Sequence, residues 1–135
     1  MRTVLVGFID TGAGHAALEQ GIVESRLRGA RLVVLNSMVG GAHETDEEYA
    51  EIAAALERVE AHLAESGVEF EIHQYVQGHH PARDVCAAAA SFDAEVLVIG
   101  IRRRSASGKL LLGSNALEIL HDAPCAVLCV RAAEA

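Results

Sequence analysis

Residues 95–116 read EVLVIG-IRRRSASGKLLL-GSNA, and the reading of the whole chain works outward from them. Glu95–Gly100 is a short, nearly unbroken apolar run, which predicts a buried strand. Gly113-Ser114-Asn115 predicts a helix start. The loop between them holds Arg102, Arg103 and Arg104 in succession, then Ser105, Ser107, Gly108 and Lys109. An apolar strand feeding a basic, small-residue loop and then a Gly-Ser helix start is how an α/β protein builds an anion site. The first-turn amides of such a helix have no acceptor inside it, and the helix dipole favours negative charge there.

The rest of the chain alternates in the same way. Thr3–Ile9 is a nearly continuous apolar run, broken by Asp10-Thr11-Gly12-Ala13-Gly14, and Gly14–Arg28 predicts a helix stopped by Gly29. Arg31–Ser37 predicts a second strand. Asp46–Ser66 predicts a long helix, acidic at its start, with Ile52, Ala53, Leu56, Val59 and Leu63 at helical spacing. Val68–Val76 alternates as an edge strand does. Pro81 suits the first turn of a helix over Ala82–Ser91. The helix opened by Gly113 runs to about His121, and Ala126–Arg131 is the last strand. This β-α-β-α-β-α-β-α-β order predicts one α/β domain over residues 1–135. Its sheet should be open, five-stranded and parallel, with right-handed crossovers and helices on both faces. Ligands of such sheets lie beyond the carboxyl ends of the strands, where the winding reverses. A strand order of 3-2-1-4-5 would put that point between strands one and four, whose exit loops are Asp10–Gly14 and Ile101–Leu112.

Composition sets the outer bounds. The 135 residues are 51% apolar, enough for a single core, and without tryptophan that core should be Val, Leu, Ile and Ala. A net charge of −8 argues against a nucleic-acid binder and makes the three-arginine run unusual against its background. No run approaches the ~20 apolar residues of a membrane span. Met1-Arg2-Thr3-Val4 enters a strand pattern directly, so the expected location is the cytoplasm. The odd count of Cys86, Cys125 and Cys129 and the expected cytoplasm argue against a disulfide framework, no CxxC or paired-histidine spacing points to a metal, and small buried apolar side chains describe them.

The stretch from Gly100 onward resembles the nucleotide-binding loop of the universal stress proteins: G-x-x-G, nine residues, then G-[ST]. Gly100 supplies the first glycine and Gly113-Ser114 the final pair, while Arg103 stands where the second glycine should be. Gly113-Ser114 through His121-Asp122-Ala123-Pro124-Cys125 to Val130-Arg131 is similar to the family's closing helix and strand. The resemblance implies a Rossmann-like sheet of order 3-2-1-4-5. It also implies binding of ATP or AMP, possibly with magnesium, by a stress-response sensor or switch. Gly100 would let backbone approach the ligand at the strand end, and phosphates would lie on Gly113, Ser114 and Asn115 and on the loop of Arg102, Arg103, Ser107, Gly108 and Lys109. Asp10, Thr11 and Gly12 would stand near the ligand, and backbone at Asn36-Ser37 would meet the adenine. A homodimer through Ala126–Arg131 is also implied. Two departures bear on this: Arg103 either obstructs the phosphates or pairs with them, and Asp10-Thr11-Gly12 replaces the frequent Asp-Gly-Ser. The family includes members without ATP, so a homodimeric interaction module is the alternative.

Other features carry less. Taken singly, turn chemistry accounts for the glycines, and a cap or Asx-turn for Asp10. Ser107-Gly108-Lys109 is not a P-loop, because Arg103 and Leu110 occupy its glycine and hydroxyl positions. His79-His80 lacks a partner at metal-binding spacing. His15 reads as a helix-surface residue near the first loop, and His43 and Tyr49 flank a glycine-bearing segment near the adenine side. No nucleophile–base–orienter set is visible, so slow ATP hydrolysis is the most chemistry expected.

Overall fold

The computed structural model describes residues 2–38, 45–76, 80–101 and 112–132, within which five strands alternate with four helices. In chain order these are β1 (Thr3–Gly7), α1 (Gly12–Arg28), β2 (Arg31–Met38), α2 (Asp46–Ser66), β3 (Phe70–Val76), α3 (Pro81–Ser91), β4 (Ala94–Ile101), α4 (Ser114–Asp122) and β5 (Ala126–Arg131). The strands form one parallel sheet of order β3-β2-β1-β4-β5, as expected. The winding reverses between β1 and β4, which puts the crevice of such a sheet beyond the carboxyl ends of those two strands.

Strand alternation divides the interior in two. Val4, Val6 and Phe8 meet Leu18 and Ile22 of α1 and Val59 and Leu63 of α2 on one face. Leu5, Val33, Leu35, Leu97 and Ile99 meet Val85, Ala88 and Ala89 of α3 and Ile119 of α4 on the other. The central strands read as unbroken apolar runs because both of their faces are covered.

The boundaries differ from expectation at informative places. α1 starts at Gly12, two residues before the expected Gly14, because Thr11 caps it: the Thr11 hydroxyl accepts from the Gly14 amide at 3.1 Å. β1 ends at Gly7 instead of Ile9. Phe8 still donates its amide to the Leu35 carbonyl at 2.9 Å, but Ile9 has turned out and is 52% exposed. α2 opens with a capping box in which Thr45 and Glu48 satisfy each other's amides. At the far end of α1, Arg28 holds Glu24 at 3.1 Å and Glu95 at 2.7 Å, tying the helix to the start of β4. That hydrogen bond from Arg28 holds the Glu95 carboxyl below its usual range, and Arg2 adds to the effect.

α1 lies unusually close to the sheet. A Cβ on Gly21 would come within 2.3 Å of Val6 Cγ2 and 3.2 Å of Leu32 Cδ1, and Val6 and Leu32 are both fully buried. Alanine at this position would gain up to ~1 kcal/mol of helix propensity. It would lose ~1–3 kcal/mol to overpacking. Gly21→Ala should therefore lower the urea midpoint of unfolding. A midpoint equal to or above that of the parent chain would show that the helix has room to move away.

Candidate functional site

A small apolar cavity of about 140 Å³ lies at the crevice. Gly7, Leu35 and Ile99 form its floor, Pro81, Ala82 and Val85 one wall, and Gly100, Asn115 and Ala116 its outer side. It sits on the α3/α4 face, where the N-termini of those two helices converge. Neither N-terminus has a side-chain cap: the N-cap of α3 is His80 and that of α4 is Gly113. In α4 the first intrahelical amide bond runs from Leu117 to the Gly113 carbonyl at 3.0 Å. The amides of Ser114, Asn115 and Ala116 therefore have no helical acceptor, and they face a rim where Gly113, Ser114 and Asn115 are exposed. An apolar slot beside uncapped amides accepts a flat apolar group and an anion together.

The loop after β1 is held against this crevice by contacts with no side chain between them. A Cβ on Gly100 would fall 2.1 Å from the Ala13 carbonyl oxygen, and one on Gly14 would fall 1.7 Å from the Ile9 carbonyl oxygen. Gly100 was expected to let backbone approach a ligand. It does line the cavity, but its missing side chain makes room for the first turn of α1. Asp10 does not cap that helix. Its carboxylate meets His15 Nε2 at 2.8 Å, both side chains are about half exposed, and the His15 ring stands edge-on to Phe8 at 5.1 Å. Gly12 is the exposed first residue of α1, and Thr11 serves as its cap.

Asn36 points to the opposite face from the cavity. It is 5% exposed, and its Nδ2 donates to the Phe8 carbonyl at 2.9 Å. The end of β2 is thus stitched to the chain just before Asp10, while the buried Asn36 Oδ1 has no hydrogen-bond partner among the described residues. Ser37 follows within β2, in register with Tyr75 of β3. Arg102, Arg103, Ser107, Gly108 and Lys109 lie outside the described residues, as do His43 and His79. His80 stands 3.4 Å from Glu118 across the α3–α4 gap, and Tyr49 sits in the first turn of α2. Among the described residues no group of three or more His, Cys, Asp or Glu side chains could hold a metal.

The sequence reading missed Pro81, Ala82, Val85, Ile99 and Ala116 as site residues. Apolar positions on strands and helices read as core, and only Pro81, at the head of a helix leaving the same sheet edge, hinted otherwise. Two expected outcomes follow from the local chemistry. Asn36→Leu should cost about 1–3 kcal/mol in denaturant unfolding, because it strands the Phe8 carbonyl in the interior. No loss would mean that the stitch between β2 and β1 is dispensable. Cys86, Cys125 and Cys129 are part-buried against the α3/α4 core, and burial pushes each thiol up, with Asp122 and Glu118 adding to the effect at Cys86. Near neutral pH all three should alkylate slowly with iodoacetamide until the chain is unfolded; fast labelling of the folded chain would contradict the packing.

A model of the universal stress protein family matches residues 1–131. A universal stress protein of Mycolicibacterium smegmatis is 44% identical over 128 residues, covering 95% of this chain and 96% of that protein. A solved universal stress protein from Archaeoglobus fulgidus superposes with a TM-score of 0.81 at 33% identity, over 96% of this chain and 98% of that one. A second Archaeoglobus fulgidus structure, a universal stress protein in complex with dAMP, gives a TM-score of 0.75 at 28% identity, covering 96% and 97% of the two chains. With the sheet order, the crevice and these matches in agreement, the chain belongs to the universal stress protein family.

Proposed function

We propose that this protein binds an adenine nucleotide, ATP or AMP, at the crevice between β1 and β4, and serves as a nucleotide-responsive switch in a stress response. The observation that carries this reading is the apolar cavity set directly against the uncapped N-terminus of α4. The base would enter the cavity between Leu35, Val85 and Ile99, with backbone at Asn36-Ser37 along its edge. The phosphates would lie on the amides of Ser114 and Asn115, helped by the Ser114 hydroxyl. The dAMP bound by the Archaeoglobus fulgidus relative supports the same ligand class here.

The remaining expected residues take roles within this reading. Gly100 and Gly113 keep the rim low. Arg102, Arg103 and Lys109 would add charge-assisted contacts to phosphate oxygens, with Ser107-Gly108 as a turn presenting amides to them. Asp10, with Thr11 and Gly12, would stand near the ligand, and its carboxylate would have to part from His15 to meet magnesium brought in by a triphosphate. The protein acts by binding, with slow hydrolysis at most. A homodimer through Ala126–Arg131 completes the reading: β5 is the end strand next to β4, and its middle residues are only partly covered.

Gly113→Asp separates ligand binding from folding. The backbone there has φ −70°, and an added Cβ would meet nothing within 4 Å, so the side chain fits. Aspartate is also a good N-cap, so it would satisfy the α4 amides and place negative charge where phosphate should sit. Calorimetric titration with AMP, and with ATP plus magnesium, should show binding to the parent chain. The variant should bind about tenfold or more weakly, with a melting temperature no lower than the parent. No heat at millimolar nucleotide from folded, nucleotide-free protein would overturn the reading, and so would a variant that binds like the parent.

A further inference from the structure

The acidity of this chain is confined to one segment. Between Asp46 and Glu71 stand nine carboxylates and one arginine, Arg58, a net of −8. The whole chain also carries −8, so the remaining residues, with ten carboxylates against ten basic side chains, balance. That segment is α2 and the start of β3, which run side by side at one end of the sheet.

β3 is the end strand there. It pairs with β2 from Phe70 to Val76, and no described strand covers its other edge. An open groove of about 520 Å³ runs between that edge and α2. Its floor is apolar and part-buried, made by Leu56, Phe70 and Ile72. Glu57 and Glu60 stand on the helix side and Glu71 on the strand. Glu71 is already held by Arg31 at 2.7 Å, whereas Glu57 and Glu60 are exposed and have no ion-pair partner among the described residues.

We propose that this edge receives an extended arginine- or lysine-rich segment of a partner protein as an added strand beside β3. The main chain of the segment would complete the open hydrogen-bonding edge. The stems of its basic side chains would lie on Leu56 and Phe70, with their heads reaching Glu57 and Glu60. The charge asymmetry selects this occupant. A second copy would bring the same net −8 against the first and be repelled, and nucleic acid would be repelled too. Carboxylates along an edge also guard it against self-pairing, which leaves it open to a strand of opposite charge.

The probe is the heptapeptide acetyl-RVRVRVR-amide, titrated calorimetrically at low salt and followed by backbone amide exchange. One-to-one binding is expected, with new protection along 70–76 and affinity that falls as salt rises. The same heptapeptide with all seven backbone amides N-methylated keeps the charge but cannot donate along either edge, and it should bind about tenfold or more weakly. The double variant Glu57→Lys/Glu60→Lys, on the exposed side of α2, should weaken the first peptide by a similar factor. Four results would each overturn the proposal: no binding at millimolar peptide, equal binding of the N-methylated peptide, unchanged affinity in the double variant, or protection at 126–131 instead of 70–76.

Discussion

The structure depends on how closely the first turn of α1 lies against the ends of the two central strands. At Gly100 and Gly14 backbone meets backbone, with no room for a methyl group on either residue. This approach turns the chain after Phe8 back over the sheet, so that Phe8 and Ile9 line the cavity while Asp10, Thr11 and Gly12 lie outside its lining. The buried Asn36 side chain fixes the same turn from the other side by holding the Phe8 carbonyl. Three segments far apart in sequence are thereby locked around one point, and the cavity lies beside it, closed by α3 and α4. A side chain added there would move the helix, and the crevice would move with it.

The crevice combines two surfaces that a folded chain normally avoids leaving open. One is an apolar recess that no described side chain fills. The other is a helix start whose amides are left to solvent, although a serine or aspartate one residue earlier would have satisfied them. α1 and α2 do have such caps, from Thr11 and Thr45. α3 and α4, the two helices that face the cavity, have none. Capping thus separates the helices that only support the sheet from those that face the crevice.

The element order and both helix layers were legible in the sequence, because each rests on a local signal, whereas the strand order, and with it the location of the crevice, was implied by the family resemblance. Apolar runs of strand length, glycine stops and the Gly100 to Gly113-Ser114 spacing sit within short windows. The roles of individual residues were less legible wherever the partner is remote. Nothing near Gly100 announces Ala13, and nothing near Asn36 announces Phe8. Asp10 looked like a cap because its type suits one, but Thr11 is one residue nearer the helix and takes the role. The apolar lining was invisible for a different reason: Val85 and Ile99 look the same whether a cavity or another side chain stands opposite.

α2 is attached differently from the other long helix. Of its 21 residues only Ala55, Val59 and Leu63 are fully buried, whereas α1 buries seven of 17. Its polar ties to α1 include His62 on Glu19 at 2.5 Å and the Ser66 carbonyl on Arg26 at 2.6 Å, and both lie exposed. Exposed ties of this kind contribute little. The free energy that keeps α2 closed is therefore smaller than that of the whole domain, and the helix forms a unit that can lift from the sheet while the other layer stays folded. Each opening would bare Val59 and Leu63 together with the face of the sheet beneath them. The part of the molecule that carries its negative charge is then also a more loosely fastened cover than α1, which shares that face of the sheet.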